Sequence, residues 1–239
     1  QGPPGRLVSF ALALLIVGFL ALQPDFGQAC LVLFAWGVMW FVGGAPILLM
    51  VGMAGIVLVA GIGAYQNSEH FARRIDGFLS TEVEPTTQLG FATNAIREGG
   101  FMGVGVGEGR VKQSLPDAHT DFIIAVAAEE YGLILVLVIV GLFATVVVRA
   151  LMRLMRERDA FIRLAGTGLA CTFGIQAIIN MGVAVRLLPA KGMTLPFVSY
   201  GGSSLVAGGI AVGMLLAFTR ARPQGELEDA LQRGRAARV

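Results

Sequence analysis

Residues 45–64 read APILLMVGMAGIVLVAGIGA, an apolar stretch without a charged side chain. A helix that crosses the hydrocarbon layer needs about 20 such residues, because the layer is roughly 30 Å thick and a helix rises about 1.5 Å per residue. The stretch therefore predicts a membrane-spanning helix. The composition agrees, since 55% of the 239 residues are hydrophobic and only 14% are charged, whereas soluble domains are roughly a quarter charged.

Five further apolar runs make the predicted fold an all-α polytopic membrane protein with six transmembrane helices. The two runs nearest the N-terminus are short, and could instead form a buried hairpin in a soluble protein, but their uncharged neighbours favour spans. No soluble domain of useful size remains, so residues 1–239 are predicted to form a single transmembrane domain. The predicted spans cover about residues 7–22, 28–43, 45–64, 122–148, 161–185 and 194–219.

Arginine placement predicts the orientation, because cytoplasmic loops collect Lys and Arg. The loop after the fourth span and the tail 220–239 carry Arg149, Arg153, Arg156, Arg158, Arg163, Arg220, Arg222, Arg233, Arg235 and Arg238. Both segments are therefore predicted to be cytoplasmic, which places the loop 65–121 and the turn 186–193 on the extracytoplasmic side. The net charge of +2 is too small to indicate nucleic-acid binding.

The loop 65–121 is predicted to carry functional residues. It is far longer than the roughly two to eight residues that usually join packed helices, and such loops are commonly functional. Within it, TTQLGFATNAIREGG (residues 86–100) predicts a short amphipathic helix that Gly99 and Gly100 end. The loop is thus expected to contain short helices.

A glycine-rich segment, GVGVGEGR (residues 103–110), follows that helix. Its alternate glycines permit positive φ and close backbone approach. It is either a flexible hinge or a cradle for phosphate, because no strand precedes it to form a nucleotide-binding unit. In the second case the cations Arg110 and Lys112 would suit a pyrophosphate.

Asp121 enters the fourth span at the end of LPDAHTDF (residues 115–122). One interpretation is capping, in which Thr120 or Asp121 is the N-cap. In the other, Asp121 faces a groove, because a stripe of small residues, Ala125, Ala128 and Gly132, continues down its side of the helix and lets a helix or a lipid chain approach. His119 could be a general base by type, although a loop histidine is more often exposed or hydrogen-bonding.

Two carboxylates, Glu129 and Glu130, lie about two turns deeper. Ionisable groups at that depth usually face the bundle interior and pair with a partner, or they sit in a wet cavity. At most one can share the groove with Asp121, and Glu129 is the nearer on a helical wheel. Glu130 is then expected to form a structural ion pair.

The last extracytoplasmic turn reads RLLPAKGMTLPFVSYGGSSLVAGG (residues 186–209). Its proline and glycines break the entry to the sixth span, and unwound backbone at membrane depth needs protein or a cavity to satisfy it. Lys191, Ser199 and Tyr200 are therefore expected to line the cavity of Asp121. The alternative is a packing kink, with Tyr200 in the interfacial aromatic belt.

Four motifs together resemble the FtsW/RodA family of SEDS proteins. They are QPDFG (23–27), GGFMGVGVGEGRVKQSLPDAHTDF (99–122), AEEYGL (128–133) and LPAKGMTLPFVSYGGSS (188–204). The sequence around GEGRVK and AHTDF is most similar to that of the FtsW cell-division branch. The resemblance covers essentially the whole chain and the C-terminal six of the family's ten spans.

The resemblance implies a peptidoglycan glycosyltransferase that polymerises lipid II into β-1,4 glycan strands during septal wall synthesis. Asp121 would be the catalytic general base. The implied substrate-binding residues are Arg110, Lys112, His119, Thr120, Glu129, Lys191, Ser199 and Tyr200. No protein metal site and no certain cofactor are implied, with a divalent cation, Mg or Mn, left open at the leaving pyrophosphate.

The family also implies a place and partners: the bacterial inner membrane at the division septum, with the active site on the extracytoplasmic face, a class B penicillin-binding transpeptidase and other divisome membrane proteins. Two other functions stay open. A lipid II flippase or transporter would use the intramembrane Glu129 and Glu130 and the broken helices. A non-catalytic divisome scaffold would only recruit the transpeptidase.

Overall fold

The computed structural model describes residues 5–23, 25–80, 87–189 and 192–220. All regular structure in these residues is helical, which confirms the all-α prediction. The α-helices are α1 (Gly5–Leu22), α2 (Phe26–Val42), α3 (Ile47–Asn67), α4 (Glu69–Leu79), α5 (Gln88–Gly99), α6 (Ile123–Leu154), α7 (Ala160–Ala184) and α8 (Gly202–Thr219), with a 3₁₀ turn at Val111–Gln113.

Four of these helices, α3, α6, α7 and α8, are long and apolar enough to cross a membrane. The apolar parts of α1 and α2, Leu7–Leu22 and Phe26–Val42, are shorter. The chain is therefore a multi-pass membrane protein, and the count of six spans stays a prediction. Most of the apolar side chains on α3 point away from the protein, as expected of a helix that contacts lipid.

Local sequence explains where the loop helices begin and end. Thr87 caps α5 by accepting a hydrogen bond from the backbone N–H of Gly90 over 3.2 Å. The helix ends at Gly100, whose φ of 53° lies in the left-handed region that favours glycine. The predicted amphipathic helix is thus confirmed, and Ser68 caps a second loop helix, α4, in the same way.

The bundle is organised around α7, which packs against α2, α6 and α8. Of the residues in the apolar stretch of α7, 39% are buried inside the protein, whereas 6% or less are buried in the corresponding stretches of α3, α6 and α8. Glycines allow this close packing: a Cβ at Gly168 would lie 2.5 Å from the sulfur of Met39 on α2, and one at Gly166 would lie 2.5 Å from Leu154 on α6.

Two helices, α6 and α8, differ most in extent from the predicted spans. α6 has 32 residues, about 48 Å of helix, and continues past residue 148 to Leu154, so that Arg149 and Arg153 lie on the helix itself. α8 begins at Gly202 rather than at 194, because the turn before it is unwound. The N-terminal ends of α6 and α8 are joined through Tyr200 and His119. Their C-terminal ends line one cavity, so the two helices are parallel.

Candidate active site

Asp121 lies just before α6 and is half-buried. The N-cap position falls on Phe122, which is 2% exposed and makes no side-chain cap hydrogen bond. The Thr120 hydroxyl donates back to the carbonyl of Asp117 over 3.2 Å. The N-cap therefore lies one residue after Asp121 and two residues after Thr120, so neither capping interpretation holds.

The unwound segment 192–201 runs beside residues 119–121 and is hydrogen-bonded to them. The backbone N–H of Tyr200 donates to the carbonyl of His119 over 2.8 Å. The hydroxyl of Ser199 donates to the carbonyl of Thr120 and accepts from the backbone N–H of Leu195 over 2.8 Å. Ser199 therefore joins two chain segments, and its predicted place in the lining of a cavity at Asp121 stays a prediction.

The side chain of Asn180 on α7 is hydrogen-bonded to both segments. Its side-chain amide donates to the carbonyl of Asp121 over 2.9 Å and to that of Met193 over 2.6 Å. Gln176, one turn earlier, donates to the carbonyl of Thr194 over 3.0 Å. Asn180 is only 2% exposed, so these bonds are shielded from water and fix the backbone at Asp121.

Gly192 is the neighbour of the Asp121 carboxylate. A Cβ added at Gly192 would lie 3.2 Å from Oδ2 of Asp121, which is tighter than most real contacts. Gly192 is exposed, and any side chain at this position would crowd the carboxylate. Lys191, the preceding residue, lies outside the described residues, so its predicted place beside Asp121 stays a prediction.

The other loop residues around Asp121 differ in exposure. His119 is exposed, and Tyr200 is 79% exposed, so both residues are available to a ligand at this end of the bundle. Thr120 and Ser199 are half-buried, and their hydroxyls are engaged in the hydrogen bonds described above. The structure thus brings His119, Thr120, Ser199 and Tyr200 together next to Asp121.

The glycine-rich segment packs on a break in α6. Gly132 has φ 77° and ψ −177°, which interrupts the helix. The backbone N–H groups of Val104 and Gly105 donate to the carbonyls of Glu129 and Glu130 over 2.8 and 3.1 Å, and the N–H of Leu133 donates to Gly100 over 2.9 Å. The loop therefore supplies bonds that the broken helix lacks. The N–H groups of Val104 and Gly105 are therefore not available to a phosphate, which argues against the predicted phosphate cradle.

The two deep carboxylates hold this loop in place. Glu129 is fully buried and accepts from the backbone N–H groups of Val111 and Lys112 over 2.8 and 2.9 Å. Glu130 accepts from the N–H of Gly107 over 3.1 Å and pairs with the ammonium of Lys112. The expected structural ion pair of Glu130 is therefore present. Both Glu129 oxygens serve the loop, which favours a positioning role over contact with substrate.

The stripe of small residues on α6 packs against a helix of the loop rather than against lipid. Ala125 packs with Ala92 and Ala95 of α5 in one buried cluster. A Cβ at Gly99 would lie 1.9 Å from the carbonyl oxygen of Ala128. The loop helix α5 thus fills the groove that the helical wheel places beneath Asp121.

Two residues of the site, Asn180 and Gly192, escaped the sequence analysis. An amide inside an apolar helix is itself a signal, since a polar group at membrane depth usually has a partner. Within the described residues, no group of three or more His, Cys, Asp and Glu side chains could hold a metal ion.

A family model described as "Cell cycle protein", which covers FtsW, RodA and SpoVE, matches residues 3–224. The chain belongs to the FtsW/RodA/SpoVE family. This SEDS protein is 46% identical over 224 residues to the "Probable peptidoglycan glycosyltransferase FtsW" of Caulobacter vibrioides, an alignment that covers 93% of this chain and 57% of that one. The protein of the same name from Trichlorobacter lovleyi is 39% identical over 216 residues, 89% of this chain and 57% of the relative.

Solved structures give the same answer for the fold of this SEDS protein. One chain, from "Structural coordination of polymerization and crosslinking by a peptidoglycan synthase complex", matches with a TM-score of 0.67 and 31% identity over 88% of this chain and 61% of that one. RodA of Thermus thermophilus matches with a TM-score of 0.58 and 30% identity over 92% of this chain and 59% of that one. The chain thus spans a little over half the length of the relatives it matches.

Proposed function

We propose that this SEDS protein is a peptidoglycan glycosyltransferase that joins lipid II units into β-1,4 glycan strands, with Asp121 as general base. The observation that carries the proposal is the setting of Asp121: a half-buried carboxylate, fixed through its backbone by Asn180, beside the exposed Gly192, where any side chain would crowd it. The names of the FtsW relatives supply the substrate class.

In the proposed reaction, Asp121 takes the proton from the 4-hydroxyl of the acceptor GlcNAc. That oxygen forms a bond to the anomeric carbon of the donor MurNAc. The bond from this carbon to the undecaprenyl pyrophosphate oxygen breaks, and its electron pair leaves with the pyrophosphate. An α-linked donor thereby gives a β-1,4 product, and a positioned general base accelerates such a step by roughly 10² to 10⁴.

The departing pyrophosphate needs cations, and the candidates differ. Arg110 is exposed and free to reach a ligand from the loop. Lys112 is paired with Glu130, so it would have to give up that pair. Arg110 and Lys191 are therefore the proposed partners of the pyrophosphate, and His119 and Tyr200 the proposed contacts of the sugars.

The proposed setting is the extracytoplasmic face of the bacterial inner membrane at the division septum. Asp121 and the arginine-rich end of α6 lie at opposite ends of that helix, which supports this orientation through the positive-inside rule. A class B penicillin-binding transpeptidase is the proposed partner, alongside other divisome membrane proteins. Its support is the structural match to a complex that coordinates polymerisation and crosslinking.

One observation weighs against the transporter. That alternative relied on Glu129 and Glu130 as transport carboxylates, but loop amides and Lys112 engage both of them. A transported ligand would have to displace these bonds.

Purified full-length protein mixed with lipid II in detergent, and the same protein in liposomes loaded with labelled lipid II, separate the three functions. The proposal predicts glycan polymer in detergent that muramidase degrades. Lipid transfer across the liposome membrane without polymer would establish a flippase instead. Neither product, together with retained binding to the transpeptidase, would establish a scaffold.

A further inference from the structure

At the other end of α6 from Asp121, a groove of about 480 Å³ runs between α6 and α8. One face of each helix lines it, at the same i, i+3, i+4, i+7 spacing. The lining residues are Val146, Arg149, Ala150 and Arg153 from α6 and Val212, Leu215, Leu216 and Thr219 from α8. The groove is therefore a feature of two parallel helices along two turns.

The residues at the bottom of the groove are buried against the rest of the protein, and the residues along its sides are exposed. Ala150 and Leu215 are 8% and 4% exposed and belong to a cluster with Ile162 and Ala170 of α7. By contrast, Val146 and Leu216 are 43% and 65% exposed. The small side chain of Ala150 keeps the floor low, so an elongated apolar group can lie in the groove.

The groove is apolar along α8 and toward the middle of α6, and it is cationic toward the C-terminal end of α6. Val146 and Val212 lie toward the middle of their helices, whereas Arg149 and Arg153 lie about 4.5 and 10.5 Å nearer the end of α6. A further cavity of about 470 Å³ continues from Leu216 to Arg220. Among the described parts of the chain, neither Arg149 nor Arg153 forms an ion pair.

We propose that this groove binds an anionic phospholipid of the leaflet that the arginine distribution predicts to be cytoplasmic. The phosphate lies against Arg149 and Arg153, and one acyl chain follows the apolar half past Leu216 and Val212. Arginine binds phosphate well through its several N–H groups, and basic pockets between transmembrane helices hold acidic headgroups.

Charge and shape together select this occupant. An apolar helix from another protein would leave two guanidinium groups facing hydrocarbon, which is costly. A free phosphate would leave the apolar half empty. A phospholipid satisfies both ends at once. The groove lies roughly 40 Å along α6 from Asp121, so lipid binding there is separate from the proposed catalysis.

Native mass spectrometry of the full-length protein, titrated in nonionic detergent with phosphatidylglycerol or phosphatidylcholine of matched chains, tests the inference. The wild type is expected to bind phosphatidylglycerol more tightly. The double variant Arg149→Gln/Arg153→Gln is expected to lose this preference, with phosphatidylglycerol binding weakened about 10- to 30-fold. The matched control Arg156→Gln/Arg158→Gln removes the same charge outside the groove and is expected to keep the preference.

A variant that fills the apolar half, Leu216→Trp, is expected to weaken the binding of both lipids with the arginines intact. Leu216 is exposed, so this variant should fold, as an unchanged melting temperature would verify. Equal loss in both arginine double variants would overturn the site in favour of diffuse surface charge. Displacement of the lipid by inorganic phosphate, or unchanged binding in Leu216→Trp, would overturn the acyl-chain half of the proposal.

Discussion

The side-chain amide of Asn180 donates a hydrogen bond to the backbone carbonyl of Asp121 over 2.9 Å, although the two residues are 59 positions apart in the chain. The same amide reaches the carbonyl of Met193 over 2.6 Å. One buried side chain of α7 thus fixes the two segments that border the proposed reaction site. Positioning of this kind matters, because small displacements of catalytic groups are costly in rate.

Asn180→Ala removes both hydrogen bonds and leaves two carbonyls without this donor. We expect the free energy of unfolding to fall by about 1 to 3 kcal/mol and polymerisation to slow further than the lost stability explains. Thermal unfolding and initial rates measure the two effects. Gln176→Ala, which touches Thr194 but not Asp121, is the control, and an equal loss of rate in both variants would contradict a specific role for Asn180.

Gly192→Ala brings a methyl group to 3.2 Å from Oδ2 of Asp121. We expect the carboxylate or the turn to shift by a few tenths of an ångström and the polymerisation rate to fall roughly three- to tenfold, with little change in melting temperature. Gly202→Ala is the matched control, since a Cβ there meets nothing within 4 Å. Wild-type rate in Gly192→Ala would mean that substrate does not approach Asp121 from this side.

Gly132→Ala tests the docking of the glycine-rich segment on α6. Alanine there would keep a φ of 77° and would place its Cβ 2.2 Å from the carbonyl oxygen of Phe101. We expect a loss of more than about 2 kcal/mol in the free energy of unfolding, since both strain and a clash oppose the fold.

On the same helix, Gly141→Ala provides the comparison, because no atom lies within 4 Å of its Cβ position. We expect it to be neutral or to stabilise by up to about 1 kcal/mol. Similar melting temperatures for the two variants would show that the break in α6 is dispensable.

The two neighbouring carboxylates should respond differently to neutralisation. Glu129→Gln replaces a buried carboxylate that accepts from two backbone N–H groups by an amide that can accept at only one oxygen, at a cost of about 1 to 3 kcal/mol. Glu130→Gln disturbs an ion pair whose side chains are 13% and 21% exposed, and should cost less. Amide hydrogen exchange should therefore accelerate at Val111 and Lys112 in Glu129→Gln, and equal acceleration in Glu130→Gln would contradict this division of roles.

Much of the fold was predictable because its signals are local. The apolar run 45–64 marks α3, and Leu89, Ala92 and Ile96 at helical spacing, followed by two glycines, mark α5. These signals depend on residues a few positions apart. The exposure of His119 and the ion pair of Glu130 also follow from residue type and depth in the helix.

The tertiary details were not predictable in the same way. The helical wheel that linked Asp121 to Gly132 assumed one unbroken helix, but α6 starts after Asp121 and breaks at Gly132. The loop, folded back from Gly100 to Gly105, stabilises that break through hydrogen bonds to α6. The pairing of Asn180 with Asp121 depends on how α7 packs beneath two distant segments, and no spacing in the sequence encodes it.

The polymerisation rate of Asp121→Asn, measured with purified full-length protein and lipid II, tests the proposed base most directly. We expect the polymerisation rate to fall by a factor of about 10² to 10⁴ at an unchanged melting temperature. Asp117→Asn is a matched control, because Asp117 is an exposed residue of the same loop with φ 56°, a conformation that Asn tolerates, and it should retain the wild-type rate. Asp121→Asn polymerising lipid II as fast as Asp117→Asn would contradict the account.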